Sequence, residues 1–294
     1  MDDLDVIRAG PELVNAKTGK WLTPADVEAP VVILLHGFTS HGRYLQRMAD
    51  LLIGHSFTVG ILNYDSYVGI DKAAEALAAC LEPIERPLIA QRWAIVAHSM
   101  GGLVARYFVQ RRQSNVHRGL CWLALLGTPN RGTLSAEVVD YMLDWAEWLT
   151  LPYPYPRDTA GRSAKQLTGN DDTQLVRLLN LGSSSDLTLP VLSVSGGLAF
   201  LEVGEAKRSL RSRLTSEALQ KLIADKPNDG LVPESSSNLE RVVPPKSSNR
   251  FEHMVDYYNY TSTNHTYLTT NYVIANRIAQ WLQERCFKPS EESA

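Results

Sequence analysis

"WAIVAHSMGGLVARYFVQRR", residues 93–112, runs from five apolar residues through His98, Ser99 and Met100 into two glycines and a second run with apolar positions at helical spacing. An apolar run of four to eight residues that ends at a turn reads as a buried strand, and apolar positions three and four apart read as a helix. A hydroxyl therefore stands where a strand becomes a helix with almost no loop between them. The residues two before and two after it, Ala97 and Gly101, are small, with Gly102 behind, so strand and helix can approach closely. This is the sequence form of a nucleophile elbow, a sharp turn that presents Ser99 Oγ. Ala97 stands where that pattern more often has glycine, and a serine here can also serve simply to cap the following helix.

Outward from this stretch the same alternation repeats. "PVVILLHGF" (30–38), "FTVGILNYD" (57–65), "GLCWLALLGT" (119–128) and "LPVLSVSGG" (189–197) join "RWAIVAHS" (92–99) as five buried strands, while 42–55, 71–85 and 100–112 carry helical spacing. Arg111 and Arg112 end the last of these where the helix dipole favours cations. Strand, helix, strand implies right-handed crossovers and a mostly parallel central sheet covered by helices on both faces, an α/β class. At 294 residues one elaborated domain spanning 1–294 is expected rather than two. About 55 residues between "GTPNRGT" and "LPVLSV" exceed what a crossover needs and form an insertion at about 131–188; the KPSEESA end, about 287–294, is expected to be a flexible tail.

Composition excludes several functions. The net charge is −3, with 29 basic and 32 acidic residues intermixed, so no basic stripe exists to hold nucleic acid. No stretch approaches 18 uninterrupted apolar residues, so no transmembrane segment is expected. The start, MDDLDVIRAG, is acidic where a signal peptide is basic and then apolar, and the expected location is cytoplasmic. Cys80, Cys121 and Cys286 are odd in number and far apart, as reduced thiols rather than a disulfide framework. Neither CxxC nor HExxH occurs and the seven histidines have no ligand spacing, so no metal and no cofactor are expected.

An activated serine needs a base, an acid that orients the base, and donors for the oxyanion. "LLHGFTSHG" ends the first of the five strands 63 residues before Ser99, and the backbone N–H groups of Phe38 and Met100 are the expected oxyanion donors. Asp229 in "KPNDGLVPESS" follows the strand at 189–197 and is the candidate acid, although Asp-Gly is also a plain turn dipeptide. His265 in "STNHTYLTT" precedes a terminal helix whose Ile274, Ile278, Trp281 and Leu282 share a face; it is the candidate base, with His253 in "RFEHMVDYY", ahead of an alternating strand pattern, as the rival. The chain order is serine, acid, histidine.

Four stretches, "LLHGFTSHG", "VAHSMGGLVARY", "LLGTPNRGT" and "NDGLVPESSSNL", together resemble the α/β-hydrolases of the lipase and esterase kind, near bacterial triacylglycerol lipases and the lipase-like GPI inositol-deacylase group. The resemblance spans most of residues 30–285 and implies the α/β-hydrolase fold with an inserted lid or cap. It carries the family's serine onto Ser99, its aspartate onto Asp229 and its histidine onto His265. It also implies that "LGTPNRGT" borders the cleft and leads into the lid. Some bacterial lipases of this type bind calcium through acidic residues beside the histidine; here the flank is Thr266-Tyr267-Leu268, which offers none.

Within the insertion, "AEVVDYMLDWAEWLTLPYPYP" puts Val138, Met142, Trp145 and Leu149 on one stripe and Asp140, Asp144 and Glu147 on another, before a Pro/Tyr segment that cannot continue a helix. Either this helix packs plainly on the body or its aromatic face lines an acyl pocket. His98, Thr39, Trp145 and Met142 are the candidate substrate-pocket residues. The expected activity is hydrolysis of carboxylic esters, with a small-molecule or lipid ester as partner and a possible transient contact with a lipid surface. A thioesterase, an acyltransferase or an amidase would use the same machinery, and a non-catalytic binding scaffold of the same fold would have lost a triad member; none is lost.

Overall fold

The computed structural model describes residues 10–27, 30–111, 119–132, 161–169, 172, 174–181, 187, 189–198, 223, 227–242 and 255–285. Seven strands form one sheet: β1 (Glu12–Asn15), β2 (Val31–Leu35), β3 (Thr58–Asn63), β4 (Trp93–His98), β5 (Leu120–Leu126), β6 (Val191–Gly196) and β7 (Val255–Tyr260). Their order across the sheet is β1-β3-β2-β4-β5-β6-β7. β1 pairs antiparallel with β3, and every other pairing is parallel. The five expected strands are β2 to β6. Each is apolar along most of its length because helices cover both faces, and all five residues of β2 are buried.

Helix α1 (Gln46–Gly54) is entered through a 3₁₀ turn at Gly42–Leu45. α2 (Ile70–Leu81) stops earlier than its spacing predicts: Pro83 stands in a 3₁₀ turn at Glu82–Ile84, after which α3 (Glu85–Gln91) begins. α4 (Met100–Arg111) follows Ser99 directly. Between β5 and β6 the described helices are α5 (Gly161–Thr168) and α6 (Leu175–Asn180). After β6 come two single turns, α7 (Glu234–Ser237) and α8 (Leu239–Val242), then β7 and α9 (Tyr272–Arg285).

The sheet divides the core in two. On one face Ile33, Leu35, Ile95 and Leu123 meet α2, α4, α5 and α6 through Leu77, Leu103, Phe108, Leu167 and Leu179. On the other, Val32, Leu34 and Val96 meet α1 and α9 through Met48, Leu52, Ile274 and Ile278. Burial of each such side chain is worth ~1.5–3 kcal/mol. α9 presents the face expected of it, with Ile274, Ile278, Trp281 and Leu282 buried. It is pinned to β7 where Trp281 Nε1 donates to Asp256 Oδ2 (2.6 Å).

The register aligns the strand ends that carry the candidate residues. Leu35 pairs with Ala97 and Ala97 with Leu125, while Leu126 pairs with Val194. The segments beginning at His36, Ser99, Gly127 and Gly197 therefore leave the sheet side by side at the carboxyl ends of its parallel strands, where open α/β sheets bind their ligands. Among the described residues no helix is long and apolar enough to cross a membrane. Cys80 and Cys121 are partly buried thiols. The segment 133–160 with Met142 and Trp145, His253, Cys286 and the 287–294 end lie outside the described residues.

Candidate active site

Ser99 sits between β4 and α4 with φ +54°, the left-handed region that a residue with a Cβ enters only when its surroundings hold it there. Its N–H donates to the Leu126 carbonyl (2.8 Å), which ties the turn to β5. The small neighbours have an evident reason. A Cβ on Gly101 would stand 2.4 Å from the His36 carbonyl oxygen, and one on Gly102 would stand 1.9 Å from Thr128 Oγ1. Ala97 is wholly buried within the sheet, where its methyl is accommodated between Leu35 and Leu125.

Asp229 and His265, 36 residues apart, meet at 2.7 Å between Asp229 Oδ2 and His265 Nδ1, both buried. The other carboxylate oxygen, Oδ1, accepts from the N–H groups of Leu231 (3.1 Å) and Val232 (2.7 Å). The main chains are joined as well, His265 N–H donating to the Asp229 carbonyl (2.9 Å). With Nδ1 donating to a carboxylate, the lone pair of the imidazole is on Nε2, which is buried and has no hydrogen-bond partner among the described residues. Gly127, at φ +57°, brings β5 against this pair: a Cβ there would lie 3.0 Å from both Asp229 Oδ2 and His265 Nδ1.

The 36–39 segment lies over the serine. A Cβ on Gly37 would be 2.8 Å from Ser99 Cβ, so only glycine lets the chain pass. His36 is buried, stacked on Tyr64 with centroids 4.1 Å apart. Its Nδ1 donates to the Gly37 carbonyl (3.0 Å). Burial lowers its pKa to about 4, so it is neutral when folded. In the unfolded chain it titrates near 6.5. The unfolded state thus binds the extra proton first, and stability is lost as pH falls from 6.5 through 4, by on the order of 3 kcal/mol for this residue. A thermal-melt series from pH 7.5 to 4 should show a falling Tm, with a shallower fall in His36→Gln; equal slopes would refute the assignment.

His98, a candidate substrate-pocket residue, donates from Nε2 to the main-chain carbonyl of His265 (2.9 Å), its ring 4.7 Å from the His265 ring. The protein packed around it, then the neighbouring His265, lower its pKa to about 3, so it stays neutral beside His265. Thr39 is buried at the end of the 36–39 segment with φ +54°. Phe38 and Met100 are both buried, Met100 directly following Ser99 in the chain.

Sequence reasoning missed one assembly. Arg106 of α4 is fully buried without a carboxylate partner among the described residues; its guanidinium donates to Asn130 Oδ1 (3.0 Å), the Leu179 carbonyl (2.9 Å) and Asn180 Oδ1 (2.8 Å). Asn130 in turn donates to the carbonyls of Ser236 and Ser237, just after the Asp229 turn. The helix that follows Ser99 and the loop that carries Asp229 are thereby linked through the loop that follows β5. Desolvation lowers the Arg106 pKa to about 9. Its sequence signal is a cation flanked by Leu103, Val104, Ala105 and Phe108, all buried. Among the described residues no group of three or more His, Cys, Asp or Glu is arranged to hold a metal ion.

Comparison with known proteins agrees with this architecture. A family model described as the alpha/beta hydrolase fold matches residues 30–121. The mature form of a lipase from Bacillus licheniformis aligns over 87% of this chain and 91% of its own, at 15% identity and a TM-score of 0.60. A membrane phospholipase A, described as a bacterial virulence factor, aligns over 89% of this chain and 81% of its own at 16% identity and 0.52. Lipase B of Aspergillus fumigatus aligns over 86% of this chain and 48% of its own at 13% identity and 0.52. No curated relative matches the sequence. The chain has the α/β-hydrolase fold.

Proposed function

We propose that this protein is a serine hydrolase of carboxylic esters that works through an acyl-enzyme, with Ser99 as nucleophile, His265 as base and Asp229 as the orienting acid. The observation that carries the reading is the buried His265–Asp229 pair at 2.7 Å, with Nε2 left for a proton, in a chain whose strained elbow holds Ser99. Ser99 Oγ attacks the ester carbonyl carbon as His265 Nε2 takes the hydroxyl proton, and the carbonyl π electrons move onto oxygen. That oxyanion accepts from the N–H groups of Phe38 and Met100, worth ~3–4 kcal/mol per donor where this has been measured. Collapse breaks the bond to the leaving alcohol, which receives the proton from Nε2. Water then repeats the sequence on the acyl-enzyme, and the carboxylic acid leaves.

The neighbours described as lipases and as a phospholipase A support an ester with a hydrophobic acyl group. The whole chain is read as one domain with an inserted cap at about residues 131–188, and Met142 and Trp145, which lie outside the described residues, are its candidates for the acyl pocket. Thioesters share the chemistry, so the substrate class is decided by turnover. A fluorophosphonate probe should label the protein at Ser99, and p-nitrophenyl esters from acetate to palmitate should be hydrolysed with a preference for chains longer than acetate. Absence of labelling and of ester turnover would sink the reading.

A further inference from the structure

The oxyanion donor proposed at Phe38 is a main-chain group in an irregular segment, and such a group is only as well aimed as its neighbours make it. Three of the four residues from 36 to 39, His36, Phe38 and Thr39, meet the loop that follows β3. The Tyr64 hydroxyl donates to the His36 carbonyl (2.5 Å) while the Tyr64 ring stacks on the His36 imidazole, and Tyr64 N–H reaches Nε2 of that ring (3.4 Å). That same imidazole holds the Gly37 carbonyl, as described above, and in a trans peptide the Phe38 N–H points opposite to that carbonyl. The Phe38 ring meets the edge of Tyr67, centroids 5.4 Å apart at 66°. Thr39 N–H donates to the buried Ser66 Oγ (3.1 Å), and its positive φ marks the point where the chain is bent away from its relaxed course.

The brace is itself fixed from outside. α2 begins at Gly69, at φ +113°, with no side chain to cap the helix. α5 supplies the cap from 94 and 96 residues away in sequence: Ser163 Oγ accepts from Gly69 N–H (2.9 Å) and Gln166 Oε1 from Ile70 N–H (2.6 Å). Gln166 Nε2 also donates to Asp71 Oδ1 (3.0 Å), and Arg162 pairs with the same carboxylate. Ser163 and Gln166 are both buried. A local Ser or Asp at the cap would satisfy the helix equally well. Capping from α5 does something more, because it makes the position of the 64–71 loop depend on the segment between β5 and β6.

We infer that Tyr64 and Ser66, clamped in place by Gln166 of α5, are positioning residues for the peptide unit that donates the Phe38 N–H to the oxyanion. This rests on the serine-hydrolase reading. A misaimed donor is lost mainly in the transition state, so it lowers kcat and leaves KM in place. The test uses the full chain, one p-nitrophenyl ester, and a trifluoromethyl ketone bearing the same acyl group, to whose carbonyl Ser99 adds to give a tetrahedral adduct. Ser66→Ala and Tyr64→Phe should each lower kcat about tenfold, a fraction of the loss of a whole donor, with KM within twofold and the ketone's Ki raised by the same factor as kcat falls. Gln166→Leu should do the same, and Lys165→Ala, on the exposed side of α5, should do nothing. Active-site titration normalises each variant for its folded fraction. Per-site kcat and Ki within twofold of the parent in Ser66→Ala and Tyr64→Phe would overturn the inference, as would a Ki unchanged while kcat falls. Ester turnover surviving Ser99→Ala would instead overturn the reading beneath it, so the two failures are distinguishable.

Discussion

Ser99→Ala is expected to lower kcat/KM for p-nitrophenyl esters by on the order of 10⁴-fold or more and to abolish fluorophosphonate labelling, with the Tm held within a few degrees. The substitution deletes one oxygen. It leaves the Cβ, so the contact between Ser99 and the glycine at 37 survives. Alanine meets the same left-handed backbone that serine already occupies, and the tie from the N–H of residue 99 to Leu126 does not involve the side chain. The side chain is only 5% exposed, so a structural role for the hydroxyl is the alternative to a catalytic one. The two possibilities therefore separate cleanly: a nucleophile costs activity alone, a structural hydroxyl costs stability alone. Ester turnover within tenfold of the parent would refute the assignment.

Much of this was legible because the chemistry that makes the fold is local. Strands buried on both faces must be apolar throughout, so β2 to β6 stand out as runs. The elbow needs small residues at fixed offsets from Ser99, and these are visible in a sequence of eight letters. β1 was not seen: ELVN is four residues whose strand character comes from its pairing with β3, almost fifty residues on. Arg106 was not seen either, because a cation on a helix reads as solvated, and its three acceptors arrive from the loop after β5 and the end of α6, 24 to 74 residues away. The brace at Tyr64 and Ser66 has the same character. Its signal was only that "NYDSYVG" leaves the sheet at the same edge as "HGFT", and which side chains then touch is a matter of loop conformation, on which spacing is silent.

The base is where the sequence left a choice between His265 and His253, and the expected ranking of variants follows from the hydrogen bonds of Asp229. His265→Ala should match Ser99→Ala, about 10⁴-fold or more, because the residues of a triad act as a unit; His253→Ala should stay within a few-fold of the parent. Asp229→Ala should be milder, since it removes only the group that orients the ring. Asp229→Asn is the more telling change. The N–H groups of Leu231 and Val232 both donate to Oδ1, so an asparagine must keep its carbonyl oxygen there and turn its NH₂ toward His265 Nδ1. A donor at that place forces Nδ1 to accept, moves the ring proton to Nε2, and leaves the nitrogen proposed to take the Ser99 proton without a lone pair. Asp229→Asn should therefore lose on the order of 10⁴-fold although its shape is unchanged, at least as much as Asp229→Ala despite being the smaller alteration. kcat/KM for the four variants, with a melt on each, decides the matter: a His253→Ala loss larger than that of His265→Ala would move the base to position 253, and an Asp229→Asn variant within tenfold of the parent would remove Asp229 from the triad.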